Sequence, residues 1–367
     1  MNISCSKSSL KRIGAKLRHG ESLTPEEECC FSEFRLGHRN IIEQFRMRAR
    51  QHLKKKDHLF ASRIKKRQTI ICKLQDRFST MDLTRMQDIA GCRIFFPSIK
   101  DLVAFRATFL RLKLRNVKRI SEEGQYDYIS KPNPVTGYRG IHDVFQEMPT
   151  GLKGEIRAKI EVQYRTWVQH AWATALEIWD NYYQHGAKFG REQPDVQQFF
   201  LLVSELFWRY LDNGKASPKL DISAKKLFAD IRRYDEQLQV LDKFVSIYNS
   251  KIRPPARSKV KIVPHKPQSL VLQRSIDVET SKPQRLIVKQ TNWNELEENL
   301  FKNERTEQGF DFVFVCTDQY ARTYNNYLNN PAQFLKYLRR ALDLCREDAV
   351  GLFGRPDRFY QALDVVR

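Results

Sequence analysis

No stretch of the sequence approaches the ~18–20 consecutive apolar residues of a membrane-spanning helix. The opening MNISCSKSSLKRIGAKLRHG lacks the apolar centre of a secretory signal, so a cytoplasmic protein without a membrane partner is expected. Cysteines at 5, 29, 30, 72, 92, 316 and 345 form no CxxC pair, and the eight histidines stand at no ligand spacing from them. Neither zinc nor a disulfide framework is therefore expected, and the cysteines read as reduced thiols, with Cys92 and Cys316 at apolar positions. No repeat of 20–50 residues stands out, which sets aside solenoids and propellers. Acidic residues are also scarce: 43 Asp and Glu face 64 Lys and Arg, for a net charge of +21, and residues 1–120 hold 28 basic against 11 acidic side chains. Such an excess points to an anionic partner, nucleic acid or polyphosphate, or else to a solvated basic surface.

At 367 residues the chain exceeds the ~100–200 of one domain. Its strongest punctuation runs from Arg253-Pro254-Pro255 to Pro264-His265-Lys266-Pro267, a candidate linker. The expected organisation is a basic helical region (1–55), a catalytic domain (56–215), a helical connector with the proline-rich linker (216–268) and a smaller C-terminal α/β module (269–367). Thr24-Pro25-Glu26-Glu27 reads as a helix start, with Thr24 as N-cap and proline in the first turn. Cys92–Phe96, ended by Pro97, reads as a core strand. In residues 155–165, Ile156, Ala158, Ile160, Val162 and Tyr164 alternate with polar neighbours, the period of a half-buried strand. Beyond the linker, strands are expected at Leu286–Val288 and Phe310–Cys316, helices over 292–305 and from Asp318, and a final helix from Asn330-Pro331 carrying Phe334, Leu335, Leu338 and Leu342.

The polar face of the 155–165 strand presents Glu155, Arg157, Lys159, Glu161, Gln163 and Arg165 together. It is either a solvated face or a site where Glu161 holds a metal ion or takes a proton while its neighbours bind phosphates. Asp88 precedes the Cys92–Phe96 strand, a position equally suited to a turn residue. The run Ser62–Arg67 leads into a helical segment bearing Lys73 and Arg77, either a polyphosphate site or a solvated basic run. In the loop Tyr126–His142, Tyr138 lies between Gly137 and Arg139, placed to offer a ring to a base or to pack at a turn.

The ordered series R-I-K, a helix with K-L, D-I-A-G-x-R-I, D-Y-I-x-x-P, G-Y-R-x-I-H, E-V-Q-x-R-T and W-A, spread over residues 63–173, resembles the RelA/SpoT-type alarmone synthetase domain. The resemblance implies an α+β fold with a mixed β-sheet flanked by helices, and Mg²⁺-dependent transfer of pyrophosphate from ATP to a ribose 3′-hydroxyl. It assigns Arg63, Lys65, Lys73 and Arg93 to ATP, Asp88 and Glu161 to metal and catalysis, and Tyr138, Arg139, His142, Gln163 and Arg165 to the acceptor. Gly140 stands where serine is usual and Glu177-Ile178 where E-H is common, departures that touch the acceptor rather than the chemistry. No H-D hydrolase motif precedes the domain.

Tyr324-Asn325-Asn326-Tyr327, after the D-F-V-F-V strand, resembles the YxxY motif of CapRel-like fused toxin–antitoxin small alarmone synthetases. That likeness implies a C-terminal region that covers the ATP site through Tyr324 and Tyr327 until a phage protein binds it. It also implies pyrophosphorylation of the tRNA 3′-CCA end, which blocks translation. Lys54, Lys55 and Lys56, read from the basic excess, either hold tRNA or form a solvated face. A synthetase of (p)ppGpp or (p)ppApp from a free nucleotide is the alternative acceptor chemistry. A non-catalytic RNA-binding module is the alternative from another class, opposed by the intact Asp88 and Glu161.

Overall fold

The alternation around Ile160 builds a strand, β5 (Lys159–Thr166), whose Ile160, Val162 and Tyr164 are fully buried while Glu161 and Gln163 face the other way. A computed structural model describes residues 5–53, 59–75, 81–112, 114–149, 155–183, 193–250, 268–276, 283–290, 310–317, 330–348 and 363. The strand begins at Lys159, so Glu155 and Arg157 precede it. Its neighbours are β2 (Ala90–Phe96), which runs parallel to it, and β4 (Ile141–Glu147), which runs antiparallel. The sheet continues outward through β3 (Val117–Arg119) beside β4 and β1 (Leu59–Ile64) beside β2. The fold is therefore α+β, with a mixed sheet flanked by helices.

One face of the sheet packs on α3 (Arg39–His52) and α5 (Ile99–Leu110), where Ile42, Phe45, Phe105 and Phe109 meet Ile94, Phe96 and Val162. Strand alternation sorts polar groups between the two faces. Asp143 of β4 turns to this covered face and takes both Arg106 Nε and Nη2, at 2.8 and 2.9 Å, while adjacent His142 turns to the opposite one. A smaller apolar cluster joins α1 (Lys7–His19), α2 (Pro25–Leu36) and α4 (Arg67–Gln75) through Leu10, Ile13, Phe31, Phe34, Ile70 and Leu74. The α2 start carries the expected cap, with Thr24 Oγ1 accepting from the Glu27 amide and the Glu27 carboxylate accepting from the Thr24 amide.

The third and largest cluster is helical. It unites α6 (Trp167–Tyr183), α7 (Pro194–Tyr210), α8 (Ala224–Leu238), α9 (Val240–Asn249) and α10 (Ala332–Asp348). Phe334, Leu335, Leu338 and Leu342 of α10 are buried in it, as their helical spacing predicts, and Phe334 meets Phe200, Phe207 and Phe244 with ring centroids 5.1–6.4 Å apart. The sheet also runs on past the 216–268 connector. Strands β6 (Gln268–Ile276), β7 (Pro283–Gln290) and β8 (Phe310–Thr317) are described in backbone only, and β8 pairs antiparallel with β1, Arg63 opposite Val315. The strand order is β3-β4-β5-β2-β1-β8-β6-β7. The helices expected over 292–305 and from Asp318 lie outside the described residues.

Sharing a core has a measurable consequence. Phe334→Ala is expected to cost about 3–5 kcal/mol in the main unfolding transition of the whole chain, the usual loss for a buried phenylalanine. Urea unfolding followed by tryptophan fluorescence checks it, because Trp179 sits in the same cluster. A transition unmoved by the substitution would separate α10 from that core.

The cysteines bring one correction. Cys29, Cys72, Cys92 and Cys345 are not in disulfides, but Cys5 and Cys30 form one, their Cα atoms 5.8 Å apart. Packing of α1 on α2 brings together two residues 25 apart in sequence, a proximity that spacing alone does not register.

Candidate active site

Two carboxylates on the side of the sheet opposite α3 and α5 anchor the site, Asp88 engaged by two lysines and Glu161 by a histidine. Asp88 lies just before β2, and Lys65 just after β1, where its backbone amide donates to the Ile89 carbonyl at 2.8 Å. From there the Lys65 ammonium reaches Asp88 Oδ2 at 2.5 Å, and Lys73, projecting from α4, reaches Oδ1 at 3.1 Å. Burial favours the neutral acid at Asp88, yet Lys65 and Lys73 outweigh it and hold the carboxyl below its ordinary range. Lys65 is brought down to about 8, chiefly by burial, with Lys73 and Arg63 adding to the fall and Asp88 opposing it. The pair of lysines and Arg63 thus concentrate positive charge where a triphosphate would neutralise it.

Glu161 stands across β2 from Arg63. Arg63, Gly91 and Glu161 are in register on three adjacent strands, and Gly91, lacking a side chain, leaves the space between the other two open. His142 Nδ1 lies 3.6 Å from Glu161 Oε2, and the Gln163 amide donates to Oε1. On its other side, His142 Nε2 shares a 2.6 Å hydrogen bond with the Tyr138 hydroxyl, which also accepts from Arg165 Nε at 3.0 Å. Burial works against charging His142, but Tyr138 and Glu161 prevail and raise it to about 9, so the imidazole is protonated at neutral pH. Burial opposes the charged form of Glu161, but His142, with Gln163 and Lys65, keeps it ionised. The result is a chain of polarised groups, Glu161–His142–Tyr138–Arg165, along one edge of the site.

The structure therefore gathers Arg63, Lys65, Lys73, Asp88, His142, Tyr138, Glu161, Gln163 and Arg165 on one face. Arg93 is there as well, but its guanidinium is occupied by Gln163 at 3.2 Å and Glu177 at 3.4 Å, so it braces β2 against β5 and α6 instead of reaching out as an ATP ligand. Arg139 is the clear correction. It is 5% exposed and turned away from the face, its Nη2 bound to Glu205 at 2.8 Å and to Ser217 at 2.8 Å, with the guanidinium over Trp208. Neighbouring residues of an extended segment point in opposite directions, so presenting Tyr138 to the site sends Arg139 into the helical layer. Lys54, Lys55, Lys56, Tyr324 and Tyr327 lie outside the described residues.

Sequence reasoning passed over two groups. Tyr128, inside the D-Y-I-x-x-P motif, sets its ring edgewise against Tyr138 and His142 at 5.5 and 5.4 Å, and the motif itself was the available signal. The second is α7, beyond the last motif, which grips the Tyr138 loop: Ser204 Oγ donates to the Gly137 carbonyl at 2.5 Å, and Glu205 holds Arg139. Gly137 has φ +78°, and a Cβ there would lie 3.0 Å from the Leu201 Cα, so glycine is required both by conformation and by the approach of the helix. At Gly140 a Cβ would come within 2.8 Å of the Tyr138 hydroxyl. A serine at 140 would thus have to displace Tyr138 from its bond to His142. Gly140→Ser is expected to raise the acceptor KM several-fold while the ATP KM stays unchanged, read by initial rates with each substrate varied in turn.

The donor set suits Mg²⁺. This ion is commonly held by one or two carboxylates together with substrate phosphates, and Asp88 and Glu161 supply two ionised ones. No cluster of three or more His, Cys, Asp or Glu side chains suited to a metal occurs among the described residues.

Residues 62–187 match the family described as a region found in RelA/SpoT proteins. Uncharacterized proteins of Mycobacterium tuberculosis and Mycobacterium bovis are 28% identical over 192 residues, 52% of this chain and 64% of theirs, so the chain spans about two thirds of the length of these curated relatives. Among solved structures, small alarmone synthetase 1 of Bacillus subtilis bound to its product pppGpp is 24% identical, with a TM-score of 0.39 over 48% of this chain and 89% of that one. Small alarmone synthetase 2 of the same organism is 25% identical, with a TM-score of 0.32 over 42% and 76%. Among the described residues, no helix is long and apolar enough to cross a membrane.

Proposed function

We propose that this chain is an ATP-dependent pyrophosphotransferase and that its acceptor is the 3′-CCA end of tRNA, whose modification stops translation. One observation carries the chemistry: Asp88 with its two lysines and Glu161 with His142 share one face of the sheet. In the reaction the acceptor hydroxyl oxygen bonds to the β-phosphorus of ATP, the bond from that phosphorus to the oxygen bridging the α-phosphate breaks, and AMP leaves. Lys65, Lys73 and Arg63 bind the triphosphate and orient it in line. Glu161, ionised and fixed by His142 and Gln163, aligns the acceptor hydroxyl and takes its proton. Asp88 and Glu161 would hold Mg²⁺, which would neutralise charge on the transferred group. Tyr138, with the Arg165 guanidinium 5.0 Å from its ring centroid, borders the place of the acceptor base.

The density of positive charge in residues 1–120 supports a polyanionic acceptor. A guanine or adenine nucleotide, giving (p)ppGpp or (p)ppApp, is the second reading, favoured by the Tyr138–Arg165 pair because a single stacked base satisfies it. Incubating the full chain with ATP labelled at the β-phosphorus and with tRNA, GTP, GDP or ATP as acceptor decides between them. Label on tRNA alone is expected. Label on nucleotides alone would replace the first reading by the second, and label on neither, in the released form described next, would remove both.

The proposal extends to regulation: the C-terminal segment holds the enzyme silent through Tyr324 and Tyr327, and a phage protein releases it. Pairing of β8 with β1, the strand that carries Arg63, supports this by tying that segment to the edge of the catalytic sheet. Keeping 99% of molecules closed requires only about 2.7 kcal/mol. Tyr324→Ala and Tyr327→Ala should each release label transfer without any partner. Deleting everything after residue 250 is a poorer test, because it strips α10 from the helical core. Folded tyrosine variants as silent as the parent would remove the autoinhibition reading.

A further inference from the structure

Beside the site just described, α1, the 83–85 turn and the approach to β5 enclose a cleft of about 250 Å³. Lys7, Lys11, Arg85, Arg157 and Lys159 line it, against only two acids, Asp82 and Glu155. Lys7 and Lys11 are exposed one helical turn apart on α1, in the row that continues to buried Gly14, which packs against Leu83 of the turn. Asp82 interacts with Lys11 and Lys159 and offsets part of this charge, which leaves five cations against two acids. Its Oδ1 is already taken by the Thr84 amide at 2.8 Å, the Thr84 hydroxyl at 2.6 Å and the Arg85 amide at 3.1 Å, as the cap of the 83–85 turn. Lys159 is held in place by the carbonyls of Thr84 and Arg85, at 3.2 and 3.4 Å. Lys7, Lys11 and Arg85 are exposed and make no salt bridge within 4.0 Å to a described carboxylate.

The position of the cleft gives this charge a use. Lys159 lies two residues before Glu161 on the same face of β5, roughly 6–7 Å along the strand, and Arg85 lies three residues before Asp88. A ligand whose hydroxyl reaches Glu161 can therefore place phosphates in the cleft. Lys65 and Lys73 gather instead about Asp88, with Arg63 acting on Lys65, as a separate set of cations. We propose that the cleft lined by Lys7, Lys11, Arg85, Arg157 and Lys159 binds phosphate groups of the acceptor while ATP is held elsewhere. The role as acceptor site rests on the pyrophosphotransfer reading; the binding of phosphates does not.

The test reads binding without turnover, on the full chain. Fluorescently labelled tRNA, a fluorescent GTP analogue and a fluorescent ATP analogue are titrated separately by anisotropy. The variant Lys7→Gln/Lys11→Gln/Arg85→Gln changes three exposed side chains, and Lys100→Gln/Lys118→Gln/Lys225→Gln removes equal charge from exposed positions elsewhere. The cleft variant is expected to bind tRNA about tenfold more weakly or worse near 100 mM salt, with the slope of log K against log salt reduced by about two, since each lost phosphate contact removes roughly 0.7–0.9. The second variant and ATP binding should be nearly unchanged. Weakening of the GTP analogue alone would still support the cleft and assign its phosphates to a free nucleotide. Cleft and control variants that bind both tRNA and GTP analogue equally well would overturn the proposal. Loss of tRNA binding in a protein that transfers no label would leave the cleft standing and remove only the reaction.

Discussion

Asp88→Asn and Glu161→Gln are each expected to lower label transfer from ATP by on the order of 10³-fold or more while the protein stays folded. Asp88 lies between Lys65 and Lys73, and the asparagine loses the charge that both ammonium groups face. Glu161 is bound by His142 and Gln163, and the glutamine can neither hold a metal as well nor take a proton. The measurement is single-turnover transfer in the Tyr324→Ala/Tyr327→Ala background, with circular dichroism as the check on folding. Near-parental rates in both variants would sink the catalytic assignment, and so would a loss that merely follows unfolding.

Glu205→Ala should have the largest effect on stability, about 3–5 kcal/mol, because it strands a buried guanidinium. Glu205 is fully buried and takes Arg139 Nη2 at 2.8 Å, Arg209 Nε at 2.7 Å, the Ser217 amide at 2.9 Å and the Ser217 hydroxyl at 2.6 Å. Urea unfolding of the full chain measures the cost, and a value below about 1 kcal/mol would show that water relieves Arg139 readily. The milder Ser204→Ala isolates the effect on the site. It removes one bond to the Gly137 carbonyl, costs about 1 kcal/mol, and should raise the acceptor KM more than the ATP KM, because only the loop bearing Tyr138 loosens. Equal changes in both constants would mean that α7 supports the domain without positioning that loop.

The two acids and most of the cations were legible as residues. Asp88 and Glu161 stand in short ordered motifs, and the alternation of β5 already separated Glu161, Gln163 and Arg165 from Ile160, Val162 and Tyr164. Arg139 was misread because a motif conveys adjacency along the chain, whereas an extended backbone turns consecutive side chains to opposite sides. Which member of Tyr138-Arg139 faces His142 and Glu161 depends on α7, some 65 residues further on, and on the charge that Glu205 places in the helical layer. Arg93 was assigned to ATP by its motif alone, and its partner Glu177 comes from α6, which a strand pattern does not record.

Local chemistry, then, was decided by the sequence itself: the capped start of α2 at Thr24, the in/out pattern of β5, the apolar stripe of α10 and the excess of positive charge at the N-terminal end. These follow from periods of two and 3.6 residues and from caps that act over three or four positions, so a short window contains them whole. Tertiary structure alone decided the Cys5–Cys30 pairing, the cleft between α1 and β5, the grip of α7 on the Tyr138 loop, and the joining of β8 and α10 to the sheet and helical core. Each of these brings together groups distant along the chain, and their meeting depends on which apolar faces bury against one another. That choice is made by the packing of the whole chain, which no local pattern contains.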